Sequence, residues 1–227
     1  MKLQFKILVL LSVVMGILSV SFLSYQFIQI HEKKLIYQDN QKIQEQIIDK
    51  VLKINRIKSE QLINDNSGWD DMISFIAKPD SNWAKGNVDF FVNSFKLSFV
   101  LVYNKKKQLI YQFGDPTCLE SLKYPDQSMI NQKLTNTPFT HYFQYCGNQL
   151  IEMFGAIIVP SADMDLRRTP SQGYLFIGHN WDNNYLNEHA EATGYKVELI
   201  KNYRADTYKK DPSSIYFFRN IEDYSGK

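Results

Sequence analysis

The sequence predicts an α+β fold in which an antiparallel sheet with flanking helices follows a membrane-spanning helix. Three observations lead to this prediction. Residues 7–30 are almost wholly apolar or small, which is long enough to cross a bilayer. Neither glycine nor proline occurs between Ile17 and Ser67, so we expect the helix to continue over residues 31–67 as a stalk. Beyond residue 98 short apolar runs alternate with turn residues, which is typical of β-hairpins.

These boundaries divide the chain into four segments. We expect residues 1–30 to hold an N-terminal tip and an uncleaved signal anchor, residues 31–67 the stalk helix, and residues 68–201 the folded domain. Residues 202–227 form a C-terminal extension that we expect to be incomplete. Lysines flank the apolar stretch on both sides, so charge alone does not orient the anchor. We expect the following domain to lie outside the cytoplasm. The chain would then cross the inner membrane once, with its N-terminus in the cytoplasm.

The stalk carries one apolar stripe. Ile43, Ile47, Val51, Ile54 and Ile57 recur at helical spacing between polar residues. This stripe can pack against the domain's own sheet or against the same helix of a second subunit. We expect a homodimer through the stalk, although the stripe is not a strict heptad.

The junction after the stalk holds the most distinctive residues. Ser67 is the predicted N-cap of a short helix, with Asp70 at capping-box spacing. Trp69 opens one apolar face, and both Asp70 and Asp71 lie where the helix dipole favours carboxylates. Two interpretations stay open: the three residues are a purely structural helix start, or together with Trp83 they cage a cationic ligand.

The remaining elements are predicted from periodicity and turn residues. The apolar periodicity of residues 82–97 predicts one helix that begins near Trp83, with Asn87 beside its apolar face. The polar segment 115–138 is either a lid over a pocket or a lineage-specific insertion. Predicted strands cover residues 98–104, 108–113, 139–145, 149–159, 173–178, 195–201 and 214–219, and a last helix covers residues 182–192.

Composition excludes several classes of function. The net charge is +2, and no basic nucleic-acid motif occurs, so nucleic acid is not an expected partner. No phosphate loop, nucleophile elbow or metal-binding helix motif is present. We therefore assign no catalytic residue, metal or cofactor. Cys118 and Cys146 either form one disulfide in an oxidising compartment or remain two thiols.

Several of these features together resemble the CHASE4 family of bacterial extracytoplasmic sensor domains. The resemblance covers about residues 35 to 200. It rests on Trp69-Asp70-Asp71, Asn82-Trp83, Asn87, the strand Phe99-Val100-Leu101-Val102-Tyr103, Ile157-Ile158-Val159-Pro160 and Gly173-Tyr174-Leu175-Phe176-Ile177-Gly178.

The resemblance implies a Cache-like or PAS-like sheet behind a long N-terminal helix. Domains of this family usually belong to receptors with an output module, such as a histidine kinase or a diguanylate cyclase or phosphodiesterase. Two alternatives stay open here: the chain is the N-terminal part of a longer receptor with such a module beyond residue 227, which we favour, or it is a stand-alone anchored remnant. The expected function is sensing of an unknown small molecule, and the alternative is a non-enzymatic interaction or dimerisation module. The candidate ligand-binding residues are Trp69, Asp70, Asp71, Trp83, Asn87 and Tyr103.

Overall fold

A computed structural model describes residues 2–200 and Ile221 of the chain. Helix α1 runs over Lys2–Ser67, so residues 31–67 are helical throughout, as the lack of glycine and proline predicts. The described chain divides into two compact units, the first ending at Asp49 and the second beginning at Lys50.

The first unit contains the candidate membrane span. Within α1, Val9–Lys33 is a stretch of 25 residues that is long and apolar enough to cross a bilayer. Its large side chains are exposed, among them Leu10 at 66% and Phe27 at 74%. A helix that presents apolar side chains all round is suited to lipid. By length and composition, this agrees with the predicted span over residues 7–30.

The second unit is built on a five-stranded sheet in the order β2-β1-β5-β4-β3, and every neighbouring pair is antiparallel. The predicted hairpins are confirmed, because β1 pairs with β2 and β3 pairs with β4. The strands are β1 (Phe99–Asn104), β2 (Leu109–Gly114), β3 (Phe139–Cys146), β4 (Gln149–Ile158) and β5 (Gly173–Asn180).

Six shorter helices pack around the sheet in the part of the chain that the structure describes, which confirms the α+β class. A 3-10 turn at Ser161–Asp163 lies in the connection between β4 and β5. The helices are α2 (Asp70–Ala77), α3 (Ser81–Asn87), α4 (Asp89–Ser94), α5 (Pro116–Ser121), α6 (Gln127–Leu134) and α7 (Asn183–Thr193).

Alternation along the strands gives the sheet two buried faces. On the first face, residues such as Val100, Phe154 and Leu175 pack against the end of α1 and against α2, α3 and α4. On the second face, residues such as Leu101 and Phe176 pack against α5 and α6. The segment predicted as a polar lid therefore contains two helices that cover the second face of the sheet.

Two predicted elements are wrong. The single helix over residues 82–97 is interrupted at Val88, because the chain tightens there and Phe91 N–H donates to the Val88 carbonyl at 3.1 Å. Next to this interruption, the buried Asp89 accepts a hydrogen bond from the Tyr111 hydroxyl at 2.6 Å.

The strand predicted over residues 195–201 is absent from residues 195–200. Its last residue, the predicted strand over residues 214–219 and the C-terminal extension, apart from Ile221, lie outside the described residues.

Cys118 and Cys146 form a disulfide, with their Cα atoms 5.3 Å apart. The bond ties α5 to the last residue of β3 on the second face of the sheet. The sequence leaves open whether these cysteines form a disulfide or remain two thiols, and the structure shows the disulfide. It also fits an oxidising compartment outside the cytoplasm.

Replacing both cysteines by serine should lower the free energy of unfolding by about 3 kcal/mol, because the unfolded chain regains the entropy of an open loop between them. Chemical denaturation of the full chain in detergent micelles, followed by tryptophan fluorescence, measures this. Adding a reductant to the unmodified protein should give a matching loss. An unchanged denaturation midpoint in both experiments would contradict a stabilising disulfide.

Candidate functional site

The junction between α1 and α2 differs from the predicted helix start. Helix α1 continues through Ser67, whose hydroxyl donates to the Asn64 carbonyl at 3.2 Å, so Ser67 is not an N-cap. Trp69 is the N-cap residue of α2, with extended backbone and no capping side chain. Gly68 separates the two helices, and a Cβ atom there would collide with the Met164 side chain. Close packing at this position therefore overrides the capping-box pattern.

The structure brings the two predicted tryptophans together. The ring centroids of Trp69 and Trp83 lie 5.1 Å apart with their planes tilted by 42°. Phe75 stacks on Trp83 at 5.0 Å, and Phe91 lies 6.4 Å from Trp69. Both tryptophans are only partly buried. A cluster of rings with accessible faces can bind apolar or cationic groups.

Asp70 and Asp71 have different environments although they are neighbours. Asp70 accepts hydrogen bonds from the Ser161 backbone N–H at 3.0 Å and from the Ser161 hydroxyl. These bonds favour the ionised form and lower the pKa of Asp70 below its ordinary value. Asp71 is exposed and makes no hydrogen bond or ion pair within residues 2–200. Its carboxylate is the one of the pair that is open to a ligand.

The other two predicted residues lie in contrasting places. Asn87 donates from Nδ2 to the Trp83 carbonyl at 2.8 Å, which holds its side chain against α3. Tyr103 is 3% exposed and belongs to the core on the second face. Burial raises the pKa of Tyr103, and its hydroxyl has no hydrogen-bond partner among the described residues. The structure thus separates Tyr103 from the tryptophans by the thickness of the sheet.

Sequence reasoning assigned no role to Arg167, which fixes the end of α1. Its guanidinium donates to the Asn64 carbonyl at 3.0 Å, to the Ser67 hydroxyl at 3.0 Å and to the Ile157 carbonyl of β4 at 2.7 Å. It also lies 4.5 Å above the Phe139 ring. The C-terminal carbonyls of a helix lack internal partners and attract cations. Arg167 therefore joins the C-terminal turn of α1 to the sheet.

Only the position of Arg167 in a polar loop could have pointed to this role. Its backbone has a φ of 47°, in the left-handed region that is uncommon for residues other than glycine. The Val159 backbone N–H adds a further bond to the Ser67 carbonyl at 2.9 Å. Burial lowers the pKa of Arg167, but an arginine side chain remains charged. No local sequence pattern encodes contacts across about a hundred residues.

A second polar region joins α1 to α7. Asn55 Nδ2 donates to Nε2 of the buried His189 at 3.1 Å, and His189 Nδ1 donates to the Tyr185 carbonyl at 2.8 Å. Nearby, Glu152 accepts from His141 Nε2 at 2.8 Å and from Trp181 Nε1 at 3.0 Å. Within residues 2–200, no group of three or more histidine, cysteine, aspartate or glutamate side chains is arranged to hold a metal ion.

Comparisons with known proteins found two similarities. A family model described as the CHASE4 domain matches residues 51–200, which is more than half of the chain. Among solved structures, the chain is similar to the periplasmic domain of LuxQ from Vibrio cholerae. That similarity has 12% sequence identity and a TM-score of 0.43, and it covers 74% of this chain and 82% of the other. No curated protein is similar enough to count as a match.

Replacing Arg167 by alanine should lower the free energy of unfolding by about 2 kcal/mol, because several partly buried acceptors lose a charged donor. Hydrogen exchange should accelerate at the amides near Ser67. Arg168→Ala is the matched control, since Arg168 is exposed in the same loop. Equal exchange rates in the two variants would show that Arg167 does not hold the end of α1.

Proposed function

This chain belongs to the CHASE4 family of extracytoplasmic sensor domains, and on that premise we propose that it is the membrane-anchored sensing part of a bacterial signal-transduction receptor. In this proposal residues 7–30 cross the inner membrane once, with the N-terminus in the cytoplasm and the domain in the periplasm. The domain binds a small molecule and passes the change to α1. The role of residues 1–227 is binding and transmission rather than catalysis.

The observation that carries this proposal is the position of the tryptophan pair. Trp69 follows the end of α1 by only two residues, and its ring lies beside Trp83. Arg167 fixes the same end of α1 to the sheet. A bound molecule that separates the rings of Trp69 and Trp83, or holds them in one arrangement, would therefore act directly on the C-terminal turn of α1.

The chemistry of this region favours a cationic or amphipathic ligand. Tryptophan faces attract cations more strongly than other aromatic rings. Asp71 adds an exposed carboxylate one residue beyond the ordered Asp70. We propose Trp69, Trp83, Asp70 and Asp71 as the ligand-binding group, with Asn87 in support. Tyr103 is left out of this group, because it lies in the core on the opposite face of the sheet.

Transmission requires that the ligand bind two states of the domain with unequal affinity. Helix α1 is continuous from Lys2 to Ser67. A small piston or rotation of such a helix is a known means of carrying a change over a distance. We propose that the two states differ in how the end of α1 packs against the sheet.

One observation favours an additional role in dimerisation. Ile43 and Ile54 on α1 are 53% and 52% exposed, and Ile47 and Ile57 are each 37% exposed. These residues share one side of the helix. We propose that the stripe packs against the same helix of a second copy. If no ligand exists, this contact supports the alternative function of a periplasmic interaction or dimerisation module.

A thermal-shift panel of amines, amino acids and organic acids on the full chain in detergent should contain at least one compound that raises the melting temperature and changes tryptophan emission. Asp71→Ala should abolish that response while it changes the free energy of unfolding by no more than about 1 kcal/mol. Glu120→Gln, which removes an exposed carboxylate from α5, should respond like wild type. A panel without any shift would count against ligand sensing.

An Ile54→Cys variant should form an intermolecular disulfide when membranes are treated with a mild oxidant, because the proposed contact brings the two stripes together. Arg56→Cys is the control, since two residues further along an α-helix point to the other side. Non-reducing gel electrophoresis separates monomer from dimer. Equal cross-linking of both variants, or of neither, would refute a dimer through the stripe.

A further inference from the structure

Strand β3 lies at one edge of the sheet. It is the last strand in the order β2-β1-β5-β4-β3, so among the described strands it pairs only with β4. The Ile157 N–H donates to the Pro138 carbonyl at 3.0 Å, and such hydrogen-bonded pairs recur at every second residue of an antiparallel ladder. The even-numbered residues of β3 therefore direct their backbone groups to β4. The odd-numbered residues direct their N–H and C=O groups to the open edge; they are Phe139, His141, Phe143 and Tyr145.

These four residues are all aromatic, and their side chains share one side of β3. Side chains alternate along a strand, and the four lie opposite residues of β4 that belong to the first face of the sheet. Phe139 is 36% exposed and Tyr145 is 43% exposed, while His141 and Phe143 are half-buried. Residues 139–146 contain no lysine, arginine, aspartate or glutamate. The edge strand therefore presents aromatic rings without a carboxylate, ammonium or guanidinium group among them.

The opposite edge of the sheet is protected against pairing, whereas β3 is not. Strand β2 has six residues, its register with β1 shifts next to Tyr103, and the turn before it contains three consecutive lysines. Short strands, register irregularities and lysines are the features by which edge strands avoid pairing with other chains. Strand β3 has eight residues, and its register with β4 is regular over its whole length. This contrast indicates that β3 is the edge that is open to another strand.

We propose that β3 pairs antiparallel with β3 of a second copy of this chain and joins the two sheets into one. Backbone hydrogen bonds form only if outward-pointing residues face each other, and a two-fold axis at Tyr142 achieves this along the strand. It sets Phe139 opposite Tyr145 of the second copy, and His141 opposite Phe143. Each of these cross-strand pairs is aromatic, which stabilises antiparallel strands.

The composition of β3 favours a second copy over an unrelated strand. A two-fold axis sets every charge of a strand near the same charge of its copy, and like charges opposite each other are destabilising. Because residues 139–146 carry no lysine, arginine, aspartate or glutamate, self-pairing meets no such repulsion from these side chains. A second copy also supplies an aromatic ring at every outward-pointing position.

This inference goes beyond the proposed function, because it concerns assembly and not the sensed molecule. The contact proposed for the stalk uses the isoleucine stripe of α1, whereas this contact uses the far edge of the sheet. A chain with two separate two-fold contacts can form assemblies larger than a dimer.

The test is photo-crosslinking of the full chain in bacterial membranes, with p-benzoylphenylalanine in place of Phe139. The two-fold register predicts an adduct with residues near Tyr145 of a second copy, and peptide mass spectrometry locates it. The matched control carries p-benzoylphenylalanine in place of Leu109, which is 39% exposed on the protected edge strand β2. This control should give no adduct with a second copy.

A second pair of variants tests whether the backbone of β3 makes the contact. The N–H of residue 143 points to the open edge, so Phe143→Pro removes a donor from that edge and leaves the hydrogen bonds to β4 in place. It should abolish the adduct formed from position 139. Phe143→Ala loses the same ring but keeps the N–H, and it should retain the adduct.

Several results would overturn the pairing of β3 with a second copy. They are no adduct from position 139, equal yields from positions 139 and 109, an adduct with a different protein, or an adduct that persists in a folded Phe143→Pro variant. If the proline variant does not fold, the mapped position decides, because an adduct outside β3 of the second copy contradicts the register. None of these results bears on ligand sensing, which the thermal-shift panel tests separately.

Discussion

The structure of the second unit depends on how the end of α1 is held. A helix end leaves carbonyl groups without partners, and Arg167 supplies the donors for that end from a loop about a hundred residues further along the chain. The same guanidinium binds the Ile157 carbonyl of β4. One side chain therefore joins the helix to the sheet. Trp69 lies two residues beyond Ser67, so the aromatic cluster begins close to this contact.

The two faces of the sheet are covered by different helices. The second face is closed by α5 and α6 and is fixed by the disulfide between Cys118 and Cys146. The first face holds α2, α3, α4 and the last turns of α1. A change of packing on the first face can reach α1 directly, whereas the cross-linked face provides a rigid support. In the proposed function, this asymmetry would let a local change on the first face pass to α1.

Two regions of different chemistry lie along the end of α1. The tryptophan pair presents accessible aromatic faces beside Asp71, and a cleft between α1 and α7 presents carboxylate and amide oxygens. The proposed tryptophan site adjoins the end of α1, so its occupation would favour one packing arrangement of that helix.

Local patterns in the sequence determined the long helix, the five strands and their hairpins, because periodicity and turn residues act within a few neighbouring positions. They also singled out Trp69 and Trp83. Only the tertiary structure decided that Ser67 ends α1 instead of capping α2, that a helix breaks at Val88, and that Tyr103 faces away from the tryptophans. These outcomes depend on contacts between residues far apart in the chain, and such contacts override local propensity when packing is tight.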